Sequence, residues 1–281
     1  MNTGYQYNKR SELIKNMKGH YQMNSVEIIE YLREEATEKY KSNIVKMGIP
    51  ERYCIGVSTA TLRNLAKQLD KSNQLAFELW HTNYHEARLL AVLLFERKSL
   101  EFCEIDNLME DVISWDLCDH LCKNLIIKLP NYNEYISEWI TSNHIYKKRA
   151  AFTLIASAAI HDKRIKQDTV TLYLKLIHEH SNYEHEHIKK AASWALREVG
   201  KVDFNFNEEA LLLAHELLES GNKAQVWIAK DAIKELETVI KVEGRKRLIS
   251  SKSKMGMEAY NESNTAQRKN VASAAGCSCA K

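Results

Sequence analysis

The stretch YKKRAAFTLIASAA, Tyr146–Ala159, decides the fold class. Its apolar residues recur at helical spacing, and nothing in it favours a turn. It lies within a run between Gly56 and Gly200 that holds no glycine, and the chain's only prolines are Pro50 and Pro130. A sheet protein of this length needs many turn glycines, because tight hairpins require positive φ. Helices joined by short polar connections do not. The sequence therefore predicts an all-α protein.

Outward from this stretch the pattern repeats. Asn24 can cap a first helix, with Glu27 reaching back from three residues on and Val26, Ile29 and Leu32 marking one face. The segment Asn43–Gly56 breaks the pattern, and Ser58 or Thr59 restarts it with Leu62, Leu65 and Ala66 inside. Helices are then predicted over Gln74–His81, His85–Phe95, Trp115–Leu129, Asn133–Ser142, Gln167–His180, His187–Gly200, Glu208–Ser220 and Lys223–Val242. Short loops between them favour antiparallel neighbours. Paired, they give helical hairpins about 30 to 45 residues apart, the period of a HEAT- or armadillo-like α-α superhelix. The helices beginning near His85, Trp115, Tyr146, His187 and Lys223 would line one concave wall, a surface suited to an elongated ligand. An irregular helical bundle is the alternative. The expected organisation is a polar segment over 1–23, a repeat domain over 24–249, and a disordered basic tail over 250–281 with no apolar stripe.

Composition excludes several classes. With 281 residues and 44% hydrophobic content the chain can bury a core, and no apolar run reaches membrane-spanning length. Met1–Gln22 is polar, carries Lys9, Arg10, Lys15 and Lys18, and has no apolar core of a secretory signal. The six cysteines are therefore expected as free thiols in a reducing cytoplasm. Net charge is +3, but Gly221–Lys281 holds twelve Lys and Arg against six Asp and Glu. A basic C-terminal part is compatible with nucleic acid.

The expected inner-wall helices carry the side chains of interest. Trp115 and Asp119 are four apart and share a helix face. Arg149 ends the run Lys147-Lys148-Arg149, Trp194 is followed by Arg197, and Trp227 by Lys230. With Lys189 and Lys190 these present tryptophans and cations around one carboxylate. Guanidinium groups suit phosphates, and aromatic faces suit sugars or cationic bases. A lone carboxylate can stabilise the positive sugar formed when an N-glycosidic bond breaks, provided the leaving base needs no general acid. The blander alternative makes the tryptophans core residues and Asp119 a helix-dipole partner.

At these residues the sequence resembles the AlkD-like DNA alkylation repair family, DNA glycosylases built from HEAT-like repeats. The matching segments are IGVSTATLRNLAK (Ile55–Lys67), HEARLLA (His85–Ala91), SWDLCDHLCKNL (Ser114–Leu125), KKRAAF (Lys147–Phe152), SWALREVGK (Ser193–Lys201) and WIAKDAIKEL (Trp227–Leu236). The resemblance implies that Trp115 packs on the lesion sugar, Asp119 promotes base loss, Arg149 binds the backbone, and Trp194 forms a second aromatic wall. It further implies action on cationic alkylpurines in double-stranded DNA, of the 3-methyladenine and 7-methylguanine type, without metal or other cofactor. The expected protein is a bacterial cytoplasmic monomer with no obligate protein partner. Two alternatives share the architecture: a protein that binds damaged or branched DNA without cleaving it, and a protein-binding scaffold. Tyr146 stands where the family more often has Trp.

Other clusters carry weaker signals. Cys118 and Cys122 flank His120 one turn apart but lack a second ligand pair, so buried thiols are expected. The run His178–His187 is rich in His and Glu at an expected helix end, where solvated side chains suffice. Cys277 and Cys279 form an isolated pair in the tail.

Overall fold

The computed structural model describes residues 23–162 and 165–259. The chain divides into two compact units, Met1–Tyr135 and Ile136–Lys281. Both are helical, and the only sheet among the described residues is one two-stranded ribbon. None of the described helices is long and apolar enough to cross a membrane.

The first unit holds α1 (Ser25–Glu34), α2 (Glu38–Lys46), α3 (Thr59–Ala66), α4 (Asn73–His81), α5 (His85–Leu94), α6 (Phe102–Glu110) and α7 (Trp115–Asn124). Its start follows the sequence pattern: Asn24 Oδ1 accepts from the Glu27 amide, and Glu27 returns a carboxylate to the Asn24 amide. Helix α3 packs on α5, and α5 on α7. The expected alternation of stacked helices is therefore present within this unit. Helices α2 and α6 were not anticipated. Both are rich in polar residues, and α6 buries only the narrow stripe Ile105, Leu108 and Met109.

A buried carboxylate organises this stack. Glu86 of α5 is fully buried, and its oxygens accept from the amides of Ile55 (3.1 and 3.0 Å), Gly56 and Val57 (3.2 Å). Three successive amides aimed at one anion form a backbone nest, which replaces the water the carboxylate has lost. Gly56 makes the nest feasible: its φ is +108°, and a Cβ there would stand 2.8 Å from the Thr37 carbonyl. Arg88, from the same turn of α5, is also turned inward. It donates to the carbonyls of Trp80 and Asp111 and to Asn83 Oδ1, and lies over the Trp80 ring. Beside the nest, the Cys54 thiol is pushed up to about 11 by burial and by the Glu86 charge.

Helix α8 (Tyr132–Trp139) spans the division between the units. The second unit contains α9 (Ile145–His161), α10 (Gln167–His180), α11 (Glu186–Val199), α12 (Phe204–Glu219) and α13 (Lys223–Leu236). Helix α9 is buried nearly all round, which suits the central member of a stack. It packs on α11, both helices burying alanines (Ala150, Ala151, Ala191 and Ala195 among them), and α11 packs in turn on α13. Gly200 closes α11 where a Cβ would meet Leu236 and Ala210 within 3 Å.

Past α13 the chain forms a small ribbon whose last residue, with the short helix that follows, falls within the span expected as a tail, 250–281. β1 (Val239–Ile240) pairs antiparallel with β2 (Ile249–Ser250), and residues 254–259 are helical. Leu248 is buried and its amide donates to the Lys201 carbonyl at 2.9 Å. Arg247 reaches the Glu198 carbonyl and carboxylate at 2.7 and 2.8 Å. Structure thus continues to residue 259, while residues 1–22 and 260–281, with Cys277 and Cys279, lie outside the described residues.

The nest yields a stability prediction. Glu86→Gln keeps the shape but turns an amide NH2 toward backbone donors, and should destabilise the protein by about 3 kcal/mol. Gly56→Ala should do at least as much, because it adds left-handed strain to a clash with backbone. Urea midpoints within a few tenths of a molar of wild type for both variants would remove the nest from its organising role.

Candidate nucleic-acid interface

In the first unit, two hydrogen bonds set α7 against α5. His85 Nε2 meets Asp116 Oδ2 at 2.8 Å, and His120 Nε2 meets the Leu89 carbonyl at 3.0 Å, each joining residues 31 apart. The pairs lie one turn apart on both helices, so together they fix rotation as well as spacing. Burial would raise the Asp116 carboxyl, but the His85 hydrogen bond and charge outweigh it and hold the group below its ordinary value. His120 accepts from Asn124 at Nδ1, which leaves Nε2 to donate. Burial and then the Arg63 charge push His120 down to about 4, so it is neutral at pH 7.

With that face committed, the adjacent face of α7 carries Trp115, Asp119 and Lys123. Trp115 remains 39% exposed, the Asp119 side chain only 13%, and Lys123 stands 3.7 Å from the Asp119 carboxylate. The stripe thus combines an accessible aromatic surface with a largely dehydrated carboxylate one turn further on. Sequence reasoning singled out Trp115 and Asp119 but not Lys123, His85 or Asp116, which stand beside them here. The i to i+4 spacing from Asp119 was the available signal for Lys123.

In the second unit the expected cations meet different fates. Lys147, Lys148 and Arg149 are all buried. Lys148 donates to the Ile140 carbonyl at 2.6 Å and lies 4.2 Å from the Tyr183 ring centre, and burial lowers its pKa. It serves the end of α8, and the structure does not present it to a phosphate. Arg149 Nη1 donates to the His187 carbonyl at 2.7 Å, tying α9 to the start of α11. Tyr146 stacks on the His187 ring at 6.0 Å, and His185 adjoins His187. Burial and the Arg149 charge lower the His187 pKa. This cluster therefore joins Tyr146, Arg149, His185 and His187 at one helix end.

In the first turn of α11, Glu186 pairs with Lys189 and Lys190, whose hydrogen bonds hold its carboxyl down to about 2. Lys189 also lies 4.8 Å from the Trp227 ring centre, whereas Lys190 and Lys230 are exposed. Arg197, expected to face phosphate, is bound by Glu235 at 2.9 Å and Asp231 at 3.6 Å. Trp194 donates its indole N–H to Glu198 at 3.2 Å, within a network that adds Lys201 and Arg247. Glu198 and Glu235 were not anticipated as internal partners, although Arg197 and Lys201 are spaced one turn apart. Among the described residues, no group of three or more His, Cys, Asp or Glu is placed to hold a metal, and the run His178–His187 forms no such group.

Three comparisons bear on this geometry. The family model described as DNA alkylation repair enzyme matches residues 28–236. Among solved structures, one described as "A new family of proteins related to the HEAT-like repeat DNA glycosylases with affinity for branched DNA structures" is similar, with TM-score 0.63 and 17% identity. That match covers 87% of this chain and 95% of the other, and it shows a HEAT-like repeat helical fold. No curated protein matches the chain.

The buried neutral histidine makes stability depend on pH. His120 has a folded pKa of about 4, against about 6.5 when unfolded. The unfolded chain therefore binds more protons between those values, and stability present above about pH 6.5 is lost as pH falls toward 4. By pH 4.5 the loss should reach about 2 kcal/mol. Urea midpoints for wild type and His120→Gln across this range should converge toward acid; parallel curves would show that His120 does not carry the dependence.

Proposed function

This chain belongs to the DNA alkylation repair enzyme family, and on that premise we propose that it removes cationic alkylated purines from double-stranded DNA by hydrolysing the N-glycosidic bond. The observation that carries this reading is the α7 stripe, with exposed Trp115 one turn from the sheltered carboxylate of Asp119. A purine alkylated on a ring nitrogen already bears positive charge. As its bond to C1′ breaks, the bonding pair goes to the base, which leaves neutral without a general acid. Positive charge then develops on the sugar, where the Asp119 carboxylate can stabilise it. Water adds to C1′ and loses its proton, with Asp119 as the nearby acceptor. Trp115 offers an aromatic face to the deoxyribose. Lys123 is half exposed and flexible enough to turn from Asp119 to a phosphate. Arg149 is assigned to the DNA backbone and Trp194 to a second aromatic wall, with Lys189, Lys190, Trp227 and Lys230 contacting DNA and the protein acting as a monomer. Lys147 and Lys148, enclosed in α9, and Arg197, held by Glu235 and Asp231, are left out of the interface.

A second reading is a protein that binds branched DNA without cleaving it. It is favoured by what is described for the structurally similar protein.

The test is release of 7-methylguanine and 3-methyladenine from modified duplex. Wild type should release base, and Asp119→Asn should slow release by roughly 10²-fold or more while affinity changes little. Trp115→Ala should lose both affinity and rate, since an aromatic wall also contacts the ground state. Undiminished release by Asp119→Asn would discard Asp119 as the catalytic carboxylate. Tight binding to a four-way junction with no base release by wild type would establish the second reading.

A further inference from the structure

Four cations gather in the first unit away from the Trp115–Asp119 stripe. Arg63 lies in the last turn of α3, Lys71 in the loop before α4, Arg97 in the 3-10 turn after α5, and Lys128 in the 3-10 turn after α7. Backbone geometry draws these segments together. Helix α3 packs on α5 with their starts joined at the Glu86 nest. The His85–Asp116 and Leu89–His120 bonds show α5 and α7 running the same way, so the C-terminal ends lie toward one edge. The Ser72 amide donates to the Leu94 carbonyl at 3.1 Å, and Asn73 bonds both the Glu96 amide and the Ser99 hydroxyl. Those bonds set the Lys71 loop against the turn that carries Arg97.

A cation at a helix C-terminus ordinarily stabilises the dipole of its own helix. That accounts for one basic residue per helix end, and it does not account for their convergence. Lys128 feels the crowding: burial and the charges of Arg97, Lys71 and Arg63 all lower its pKa, and no carboxylate contributes. Among the described residues none of the four forms an ion pair. Several cations elsewhere have internal partners, as Arg88, Lys148, Arg197 and Lys201 show. Like charges held close and left uncompensated raise the energy of the isolated protein, and a polyanion relieves that repulsion.

We propose that Arg63, Lys71, Arg97 and Lys128 form a phosphate-binding patch that grips the DNA backbone at a distance from the damaged nucleotide. This rests on the proposed DNA-repair function for its ligand but not on base release. Helix α7 is ten residues long, so the patch stands about 15 Å beyond Trp115 along that helix. On duplex DNA this corresponds to phosphates about four to five base pairs away. The patch would read charge alone, so it should grip damaged and undamaged DNA equally.

The test uses the full-length chain and two double variants, Arg97→Gln/Lys128→Gln and Lys71→Gln/Lys128→Gln. The second keeps the half-buried Arg97 in place should the first fail to fold. Binding is measured to undamaged duplex and to duplex carrying 7-methylguanine at several salt concentrations. Each variant should lose roughly tenfold in affinity for both duplexes, and its slope of log K against log salt should fall by about two. Melting temperature should hold or rise, because repulsion has been removed. Base release at saturating DNA should stay at the wild-type rate. Unchanged affinity and slope in both variants overturn the patch, as does a loss confined to damaged DNA. If wild type binds DNA without releasing base, the glycosylase reading fails and the patch stands. If wild type binds no DNA, both fail.

Discussion

A carboxylate taken out of water must find donors or surrender its charge, and Glu86 finds three backbone amides in succession. That requirement fixes more than one loop. It holds the segment Ile55–Val57, and with it the start of α3, against α5. Glu86 is also flanked on α5 by His85 and, one turn on, Leu89, which hold α7. The rotation of α7, and so which of its side chains face outward, descends from a bond made one repeat earlier. Moving Glu86 would shift the frame that presents Trp115 and Asp119.

The second unit uses the same device with a longer interval. Arg149 to His187, Ser193 to Asp231 and Arg197 to Glu235 each join residues 38 apart. Part-buried polar bonds of this kind discriminate between registers, because a slipped stack leaves each of them unmet. They also consume charge. Many basic residues of the second unit are held by its own carbonyls and carboxylates, so a count of Lys and Arg overstates what it can offer a phosphate. The four cations at the ends of α3, α5 and α7 lack such partners.

The helical architecture was legible because its signal is distributed: no glycine between Gly56 and Gly200, with apolar spacing repeated many times. The pairing of Trp115 with Asp119 was legible for a related reason, since i to i+4 spacing is local geometry. Burial was not. Lys147 and Lys148 look like surface residues in a run of three cations, yet α9 is enclosed on all sides and the Lys148 ammonium is satisfied by Ile140, a residue on another segment. Such a partner leaves no periodic trace. The order at residues 250–259 was missed for the opposite reason: the chain leading into it is held by single residues, such as Leu248 in the core and Arg247 on Glu198, and too few of them form a stripe. Helices α2 and α6 lay between the extremes, with apolar faces too narrow to stand out from their polar residues.

Methylating agents attack thiolates readily, and a protein that works where DNA is being alkylated shares its surroundings with such electrophiles. The nest that orders α3 and α5 also shields Cys54. With its pKa pushed up to about 11, only about one molecule in ten thousand carries the thiolate at neutral pH. Cys118 and Cys122 are buried within the α7 contact, and Cys103 is the exposed thiol among the described residues. Burial first, and then the negative charge that holds the repeats in register, make the thiol beside the nest a poor nucleophile. Chemical durability and fold order share one side chain, and loosening Glu86 would open both the stack and its sulfur to attack.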